Sequence, residues 1–579
     1  MFRGKIASIL EKELKDAKLS KSAIHEALEI PPSTEMGDYA FPCFSLAKVL
    51  RKNPSEIAKT LAVKIKPNQE LEKTEAINGY VNFFLKKPVF AEEVVGRIFD
   101  EKEKFGHSDR GKGKKVVIES PGPNTNKPLH LGHMRNMALG ISLSNIFKAN
   151  GYKSINVDII NDRGIHIMKS LLAYKKFGKG KDPAKGHKPD HFVGDFYVLY
   201  SKEEKKNPKS KEKLQEELQS LLRKYEASDK ETIYLLKRMN SWAVQGIQET
   251  YNRFGMHIDK AYYETEHFEK GKALIKEYEK KGLFEKEDDG SISINLEEEG
   301  LGKKVLLRAD GTSIYITQDL YLALQRYKDF KPDKMIYVVG SEQIYHFKVL
   351  FTILKKLGFK FAENYYHLPY GMVYLPEGKM KSREGNVVDA DNLMDETAAL
   401  AKKEILRREP KLDKKDLDER AERIALGAIN FFLIRYDALK DFTFNPEESI
   451  SFEGETGPYI QYAHARASSI LRKAEKEFNL KPKFNPRVLK LAEKEEHVLV
   501  RELSRFPSIV KDGAEKLKPD LIANYAYKLA QAFTDFYTNQ KVLAEDTRER
   551  EERLQLVAAT RRVLANALAL INIAALEKM

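Results

Sequence analysis

The sequence predicts a multidomain chain centred on an α/β unit with a parallel sheet, preceded by a small α+β unit and followed by an all-α one. Three observations carry this. From about residue 115 to 375 strand-like runs alternate with helical stretches, the pattern of parallel strands joined by crossover helices. From about 395 onward the pattern is almost wholly helical, with apolar residues at helical spacing in Ala421 to Leu439 and Leu521 to Leu543. The first hundred residues mix amphipathic helix, as in Ser55 to Ala62, with a strand-like run from Tyr80 to Leu85. At 579 residues the chain also exceeds what one hydrophobic core supports. The expected divisions are 1–105, 106–395 with an inserted helical segment over about 170–300, a helical connector at 396–450, and 451–579.

Composition narrows the class. An apolar fraction of 42% with 32% charged residues fits a folded globular chain and excludes a disordered one. The net charge of +14 suits a polyanionic partner, although surface lysine alone produces the same balance. The single cysteine, Cys43, excludes an intramolecular disulfide and a Cys-based structural zinc site; it is expected to be a small buried apolar residue. Charged residues at Glu11, Lys12 and Glu13 interrupt any N-terminal leader, and Val563 to Leu576 is broken by Asn566 and Asn572 and too short to span a bilayer. A cytoplasmic location without a membrane partner is therefore expected. The Lys- and Gly-rich stretch Glu101 to Lys115 reads as a linker, and Lys202 to Lys213 as a solvated helix start or loop rather than an RNA arm.

The chemistry concentrates in two motifs. Lys114 to Ile118 forms a buried first strand, which Glu119-Ser120-Pro121-Gly122-Pro123-Asn124 ends; Lys127-Pro128-Leu129-His130-Leu131-Gly132-His133 then opens a helix that Gly151 stops. Such a strand–loop–helix unit offers free backbone N–H groups and a positive helix end to phosphate. His130 and His133, three apart, share one side of the first turn and can donate hydrogen bonds as charge builds on a phosphate. Gly132 leaves room for a base or ribose against the backbone. The plainer reading of the two histidines is helix capping. Far downstream lies Gly378-Lys379-Met380-Lys381-Ser382-Arg383-Glu384-Gly385-Asn386. Alone it reads as a solvated basic turn; paired with the histidines it reads as a mobile lid whose Lys379 neutralises a leaving phosphate group.

Together, in this order, the two motifs resemble the HIGH and KMSKS signatures of class I aminoacyl-tRNA synthetases. The similarity extends from Gly37-Asp38-Tyr39-Ala40 to Met579 and favours the arginyl-tRNA synthetases. The resemblance implies a Rossmann-type catalytic domain, a preceding domain that touches the tRNA elbow and a helical anticodon-binding domain. It also implies ATP with Mg2+, L-arginine and tRNA(Arg) as partners, in a monomer. Lys127, His130, His133 and Lys379 are the expected catalytic residues. His130, Gly132, His133, His346, Lys379, Met380, Lys381 and Ser382 are expected to bind ATP.

The arginine pocket can be examined chemically, because a guanidinium has five donors and no acceptor and needs carboxylates in a fork. Glu119 and Asp319 match those positions; Tyr315, four before Asp319, shares its face if the segment is helical. Asn124 and Gln343 match positions that bind the backbone end of the substrate. Two departures stand out. The fourth position of the second motif holds Ser382, with a lysine one place earlier at Lys381. In arginyl enzymes of this kind a lysine matching Lys127 substitutes and activation needs bound tRNA; Lys381 is the alternative source of the missing charge. Arg163 occupies a position where a Trp is common in the family.

For tRNA, Asp437-Ala438-Leu439-Lys440 resembles the segment that names the helical domain. Tyr459, Tyr462, Tyr537 and Met579 match its anticodon contacts. A tyrosine stack on an unpaired base contributes about 1–3 kcal/mol; core packing is the competing role for these rings. Tyr80 and Asn82, alternate residues on one strand face, match contacts to the D-loop, with packing again the competing role. Three rivals remain distinguishable. A stand-alone nucleotidyltransferase has no use for the long helical region. A silent tRNA-binding paralogue predicts loss of His130, Gly132, His133 or Lys379, all present. A synthetase for lysine or glutamine does not call for Glu119 and Asp319 together.

Overall fold

The computed structural model describes residues 2–17, 19–376 and 388–579. Lys379, Met380, Lys381 and Ser382 lie outside the described residues.

The N-terminal unit wraps five helices, α1 (Phe2–Glu13), α2 (Lys21–Ala27), α3 (Phe44–Leu50), α4 (Pro54–Lys64) and α5 (Lys87–Glu101), about a small sheet. Strands β1 (Tyr39–Pro42), β2 (Leu71–Ile77) and β3 (Tyr80–Leu85) form it, antiparallel, with β3 in the middle. Leu10, Phe41, Val81 and Phe83 fill its core, and Cys43 is buried and free. Burial pushes the Cys43 thiol up to about 12, as expected of a residue that packs rather than reacts.

The central sheet has five strands: β4 (Lys115–Glu119), β5 (Lys153–Ile160), β6 (Lys260–Tyr263), β10 (Lys334–Gly340) and β11 (Tyr365–Tyr370). Its order is β11-β10-β4-β5-β6 and every pairing is parallel. The chain winds outward from β4 through β5 to β6, then returns to the other side of β4. Strand order therefore reverses between β4 and β10, and in such sheets the crevice at the carboxyl ends of the two diverging strands is where ligands bind. Helix α6 (Leu131–Ala149) follows β4; Gly140 lets it lie on the strand end, since a Cβ there would come 2.6 Å from Ser120 Oγ.

Between β5 and β6 the chain inserts α7 (Ile165–Phe177), α8 (Pro189–Lys205), α9 (Pro208–Glu226) and α10 (Lys230–Phe254), with their own core of Leu171, Val193, Leu218 and Met239. Helix α11 (Glu264–Lys280) follows β6. The inserted segment is not helical throughout its expected span. After α11 it forms an antiparallel sheet, β7 (Glu285–Lys286), β8 (Ile292–Leu296) and β9 (Gly302–Leu307). The period-two alternation Ile292, Ile294, Leu296, all buried, after the Asp289-Gly290 turn is the physical reason. Helices α12 (Tyr315–Phe330) and α13 (Ile344–Lys356) flank β10.

A helical unit completes the chain: α14 (Ala390–Arg408), α15 (Lys414–Ile434), the single turn α16 (Pro446–Ser449), α17 (Gly457–Phe478), α18 (Lys494–Glu515), α19 (Asp520–Asn539) and α20 (Thr547–Leu570). Two short strands, β12 (Val373–Tyr374) and β13 (Phe442–Thr443), pair in parallel and tie it to the sheet unit. No helix among the described residues is long and apolar enough to cross a membrane. The linker is not free: Phe105 stacks on Phe506, and Asn566 Nδ2 donates to the carbonyls of Lys102 (3.0 Å) and Phe105 (3.2 Å).

Arg135, fully buried on α6, joins the two large units. Its guanidinium donates to the carbonyls of Gly371 (2.7 Å), Ala438 (2.8 Å) and Lys440 (2.9 Å) and lies over the Phe442 ring. Burial pulls its pKa down to about 10, so it stays charged at neutral pH. The Asp437–Lys440 segment is therefore a turn held from inside. Arg135→Met strands these acceptors and is expected to lower unfolding stability by about 2–4 kcal/mol, measured by denaturant titration.

Candidate active site

The loop leaving β4 is laced to the end of β5. Gly122, at φ +73°, donates its N–H to Asp158 Oδ1 (2.9 Å), and Tyr251 Oη donates to Asp158 Oδ2 (2.8 Å). Burial raises the Asp158 carboxyl to about 7 despite these donors. Asn161 N–H donates to the Pro123 carbonyl (2.9 Å) and Thr125 N–H to the Asn161 carbonyl (3.1 Å). Asn124 is thereby held exposed at the carboxyl edge of the sheet.

At the start of α6 the two histidines interlock. His130 is the N-cap: Gly132 N–H donates to His130 Nδ1 (3.2 Å), and His130 N–H donates to His133 Nδ1 (3.1 Å). The ring centroids are 3.8 Å apart. Capping and phosphate binding, set against each other on sequence, are thus compatible here. Because each Nδ1 accepts from the backbone, the proton of each neutral ring resides on Nε2, leaving a donor. Burial lowers the pKa of His130 to about 3, and burial with the neighbouring His130 and Lys127 lowers His133 well below its usual value. Both rings are neutral donors at physiological pH. Gly132 serves the cap, since a Cβ there would sit 3.1 Å from His130 Cε1 and Nδ1. Half-buried Lys127 has its pKa lowered by burial, and α8 approaches the same loop, where a Cβ on Gly194 would come 2.8 Å from Pro128 Cδ.

The second group lies at the end of β4 and the facing turns of α12 and α13. Tyr315 and Asp319 are both on α12, and Tyr315 is 84% exposed at its first position. Asp319 Oδ2 is 2.6 Å from His346 Nε2, so the histidine expected at the nucleotide engages a carboxylate expected at the amino acid. Gln343 is exposed in the turn after β10. Glu119 forms an ion pair with Arg326, a fully buried residue of α12 flanked by the rings of Tyr262 and Tyr337. Burial raises the Glu119 carboxyl; Arg326 opposes that, and Asp319 adds to it. The fork expected from two open carboxylates is consequently a pair in which each already has an internal partner, Arg326 for Glu119 and His346 for Asp319. A cavity of about 960 Å³ among the described residues, lined by Leu236, Asn240, Val244 and Tyr263, shares no residue with either group.

Comparison with known proteins decides the family. Residues 94–446 match the class I tRNA synthetase (R) catalytic domain, 460–579 the DALR anticodon-binding domain, and 4–85 the arginyl-tRNA synthetase N-terminal domain. The chain belongs to the arginyl-tRNA synthetase family. It is 47% identical to an arginine–tRNA ligase of Treponema denticola over 95% of this chain and 94% of that one. It is 40% identical to that of Treponema pallidum over 100% and 99%. The Thermus thermophilus arginyl-tRNA synthetase structure superposes with a TM-score of 0.84 at 26% identity, covering all of both chains.

Within this family frame the expected RNA contacts separate. Tyr462, Arg466 and Met579 line one cleft of about 250 Å³, with Arg472 and Lys578 adding charge. Arg466 NH2 donates to Tyr462 Oη (2.6 Å), and the same guanidinium lies over the Tyr537 ring at 5.6 Å. Tyr459 turns away, its Oη donating to Thr534 Oγ1 (3.1 Å). In the N-terminal unit Tyr80 is half-buried against exposed Phe44, whereas Asn82 is only 3% exposed. Arg163 lies over the Phe268 ring at 3.2 Å.

Arg326, Arg135 and Asp158 escaped the sequence reading. Arg326 had a signal: it follows Asp319 by seven residues, two helical turns, and so shares its face. Because Glu119 has a raised pKa, its ionised form is lost at higher pH than for an ordinary carboxylate. The KM for arginine is expected to rise as pH falls through that pKa. Glu119→Gln is expected to abolish this dependence and to lower kcat/KM for arginine by ~100-fold.

Proposed function

We propose that the chain activates L-arginine with ATP to arginyl-adenylate and pyrophosphate. It then transfers the arginyl group to the 2′-hydroxyl of the terminal adenosine of tRNA(Arg), releasing AMP. The observation that carries this is the meeting, at one switch point, of two neutral histidine donors and a carboxylate pair. Glu119 and Asp319 set two carboxylates against the single internal guanidinium of Arg326, a surplus of acceptors that suits a guanidinium substrate.

In the first step an arginine carboxylate oxygen attacks the α-phosphorus and the bond to the β-phosphate breaks. His130 and His133 donate Nε2–H bonds to the phosphates, while Lys127 and Lys379 offset the charge of the leaving pyrophosphate. Gly132, His346, Met380, Lys381 and Ser382 complete the nucleotide contacts. Asn124 and Gln343 hold the backbone end of arginine, with Tyr315 beside Asp319. Positioning and fixed dipoles supply the catalysis, with no covalent enzyme intermediate. ATP enters as its magnesium complex, the ion held mainly by the phosphates. Tyr462, Tyr537 and Met579, with Tyr459 behind them, take the anticodon region, and Tyr80 and Asn82 serve the D-loop side. The functional divisions are 1–105, 106–395, 396–450 and 451–579, in a cytoplasmic monomer.

ATP–pyrophosphate exchange across the amino acids, with and without total tRNA, tests this. Exchange with arginine alone, and only with tRNA present, is expected. Exchange without tRNA removes the dependence and leaves the substrate; exchange with another amino acid overturns the arginine assignment. Tyr462→Ala is expected to raise the KM for tRNA ~10-fold while leaving the KM for arginine unchanged.

A further inference from the structure

Outside both site groups, Asp190, His191 and Asp391 cluster closely enough to suggest a metal site. Lys188 already fills it: its Nζ lies 3.0 Å from Asp190 Oδ2 and 2.7 Å from Asp391 Oδ2. What the cluster does is hold residue 391. Asp391 Oδ2 accepts from Lys188 Nζ and from Thr250 Oγ1 (3.0 Å), with His191 Nε2 at 3.4 Å. Burial opposes ionisation, but these donors bring its carboxyl down to about 2. Arg253 reinforces the grip, reaching the Asp391 carbonyl (3.5 Å), Asp395 (2.8 Å) and Glu422 (2.8 Å).

The gripping side chains all come from α8 and its N-cap residue or from α10, in the insertion between β5 and β6. The gripped residue is in the first turn of α14, and the residues just before it run alongside the histidine motif. Leu131 N–H donates to the Val388 carbonyl (3.1 Å), Ala390 N–H donates to the Leu129 carbonyl (3.0 Å), and His130 and Asp389 form the bridge between them. His191 Nε2 also lies 3.3 Å from Asp389 Oδ2. The backbone partner of His130 is thus two residues from a carboxylate with three donors around it.

We propose that Asp391, held by Lys188 and Thr250, is a positioning residue that sets the His130 backbone, and through it the capped ring, against the nucleotide. This rests on the functional reading above, and it assigns the insertion a part in activation. A misplacement of a catalytic group by a fraction of an ångström costs rate without costing the fold. A residue that merely packs α14 would instead loosen both substrates or neither.

The test is Asp391→Asn in the full chain, read by arginine-dependent exchange, by titration calorimetry with a non-hydrolysable ATP analogue, and by thermal melting. The expected result is a ~10-fold fall in the exchange kcat with weaker analogue binding, an arginine KM within ~2-fold of wild type, and a lowered melting temperature that still leaves the variant folded under assay conditions. Asp391→Glu, which keeps the charge, is expected to recover part of the rate. A folded variant with wild-type kcat and analogue affinity overturns the proposal, as does an equal loss for both substrates. Should Asp391→Asn fail to fold, Thr250→Val removes one donor and is held to the same split with a ~3-fold effect. If wild type shows no arginine exchange, the functional reading fails by itself, and analogue affinity in wild type against the variant still decides this one.

Discussion

Where a parallel sheet reverses its winding, the connections leaving two neighbouring strands must part to opposite faces, and the ends of those strands stay uncovered. In this chain the parting strands are β4 and β10, and nearly every residue of chemical interest hangs from their carboxyl ends. The β4 exit supplies Glu119, Asn124 and the histidine-capped start of α6; the β10 exit supplies Gln343 and His346. The fold thus creates the crevice before any side chain is chosen, and the loop hydrogen bonds to Asn161 and Asp158 keep it open in one shape.

Electrostatics then give the crevice two unlike halves. Burial keeps the histidine half neutral but rich in donors, so it can meet a polyanion without carrying fixed charge into the protein. The carboxylate half sets two acids against one buried guanidinium. Burial raises the Glu119 carboxyl, and Arg326 opposes that rise beneath a site that must also admit a cation. Arg326 thus resembles a substrate guanidinium in chemistry and sits on the inner side of the same acid.

Much of this was legible in the sequence because it is local. The alternation of strands and helices, the spacing of His130 and His133, and the four-residue step from Tyr315 to Asp319 are all short-range patterns, and each corresponds to a described element. The Asp289-Gly290 turn and the alternating Ile292 to Leu296 run were equally local, yet a helical insertion was expected around them. What stayed hidden depends on contacts across hundreds of positions. Arg135 meets carbonyls 236 to 305 residues away, and Glu119 meets Arg326 through tertiary packing alone. Tyr459 and Asn82 matched family positions, but whether a ring or amide faces solvent is decided by neighbours that no single strand or helix reveals.

The joint made by Arg135 has a property that follows from its partners being carbonyls rather than carboxylates. Attraction between exposed opposite charges fades as ions gather around them, and the hold of a basic surface on a polyanion fades fastest of all. A fully buried cation clasped by peptide carbonyls is shielded from the ions that screen exposed pairs. Raising ionic strength can therefore strip a polyanionic partner from the basic exterior while the catalytic and helical units remain locked in the same relative pose, ready to receive the next one.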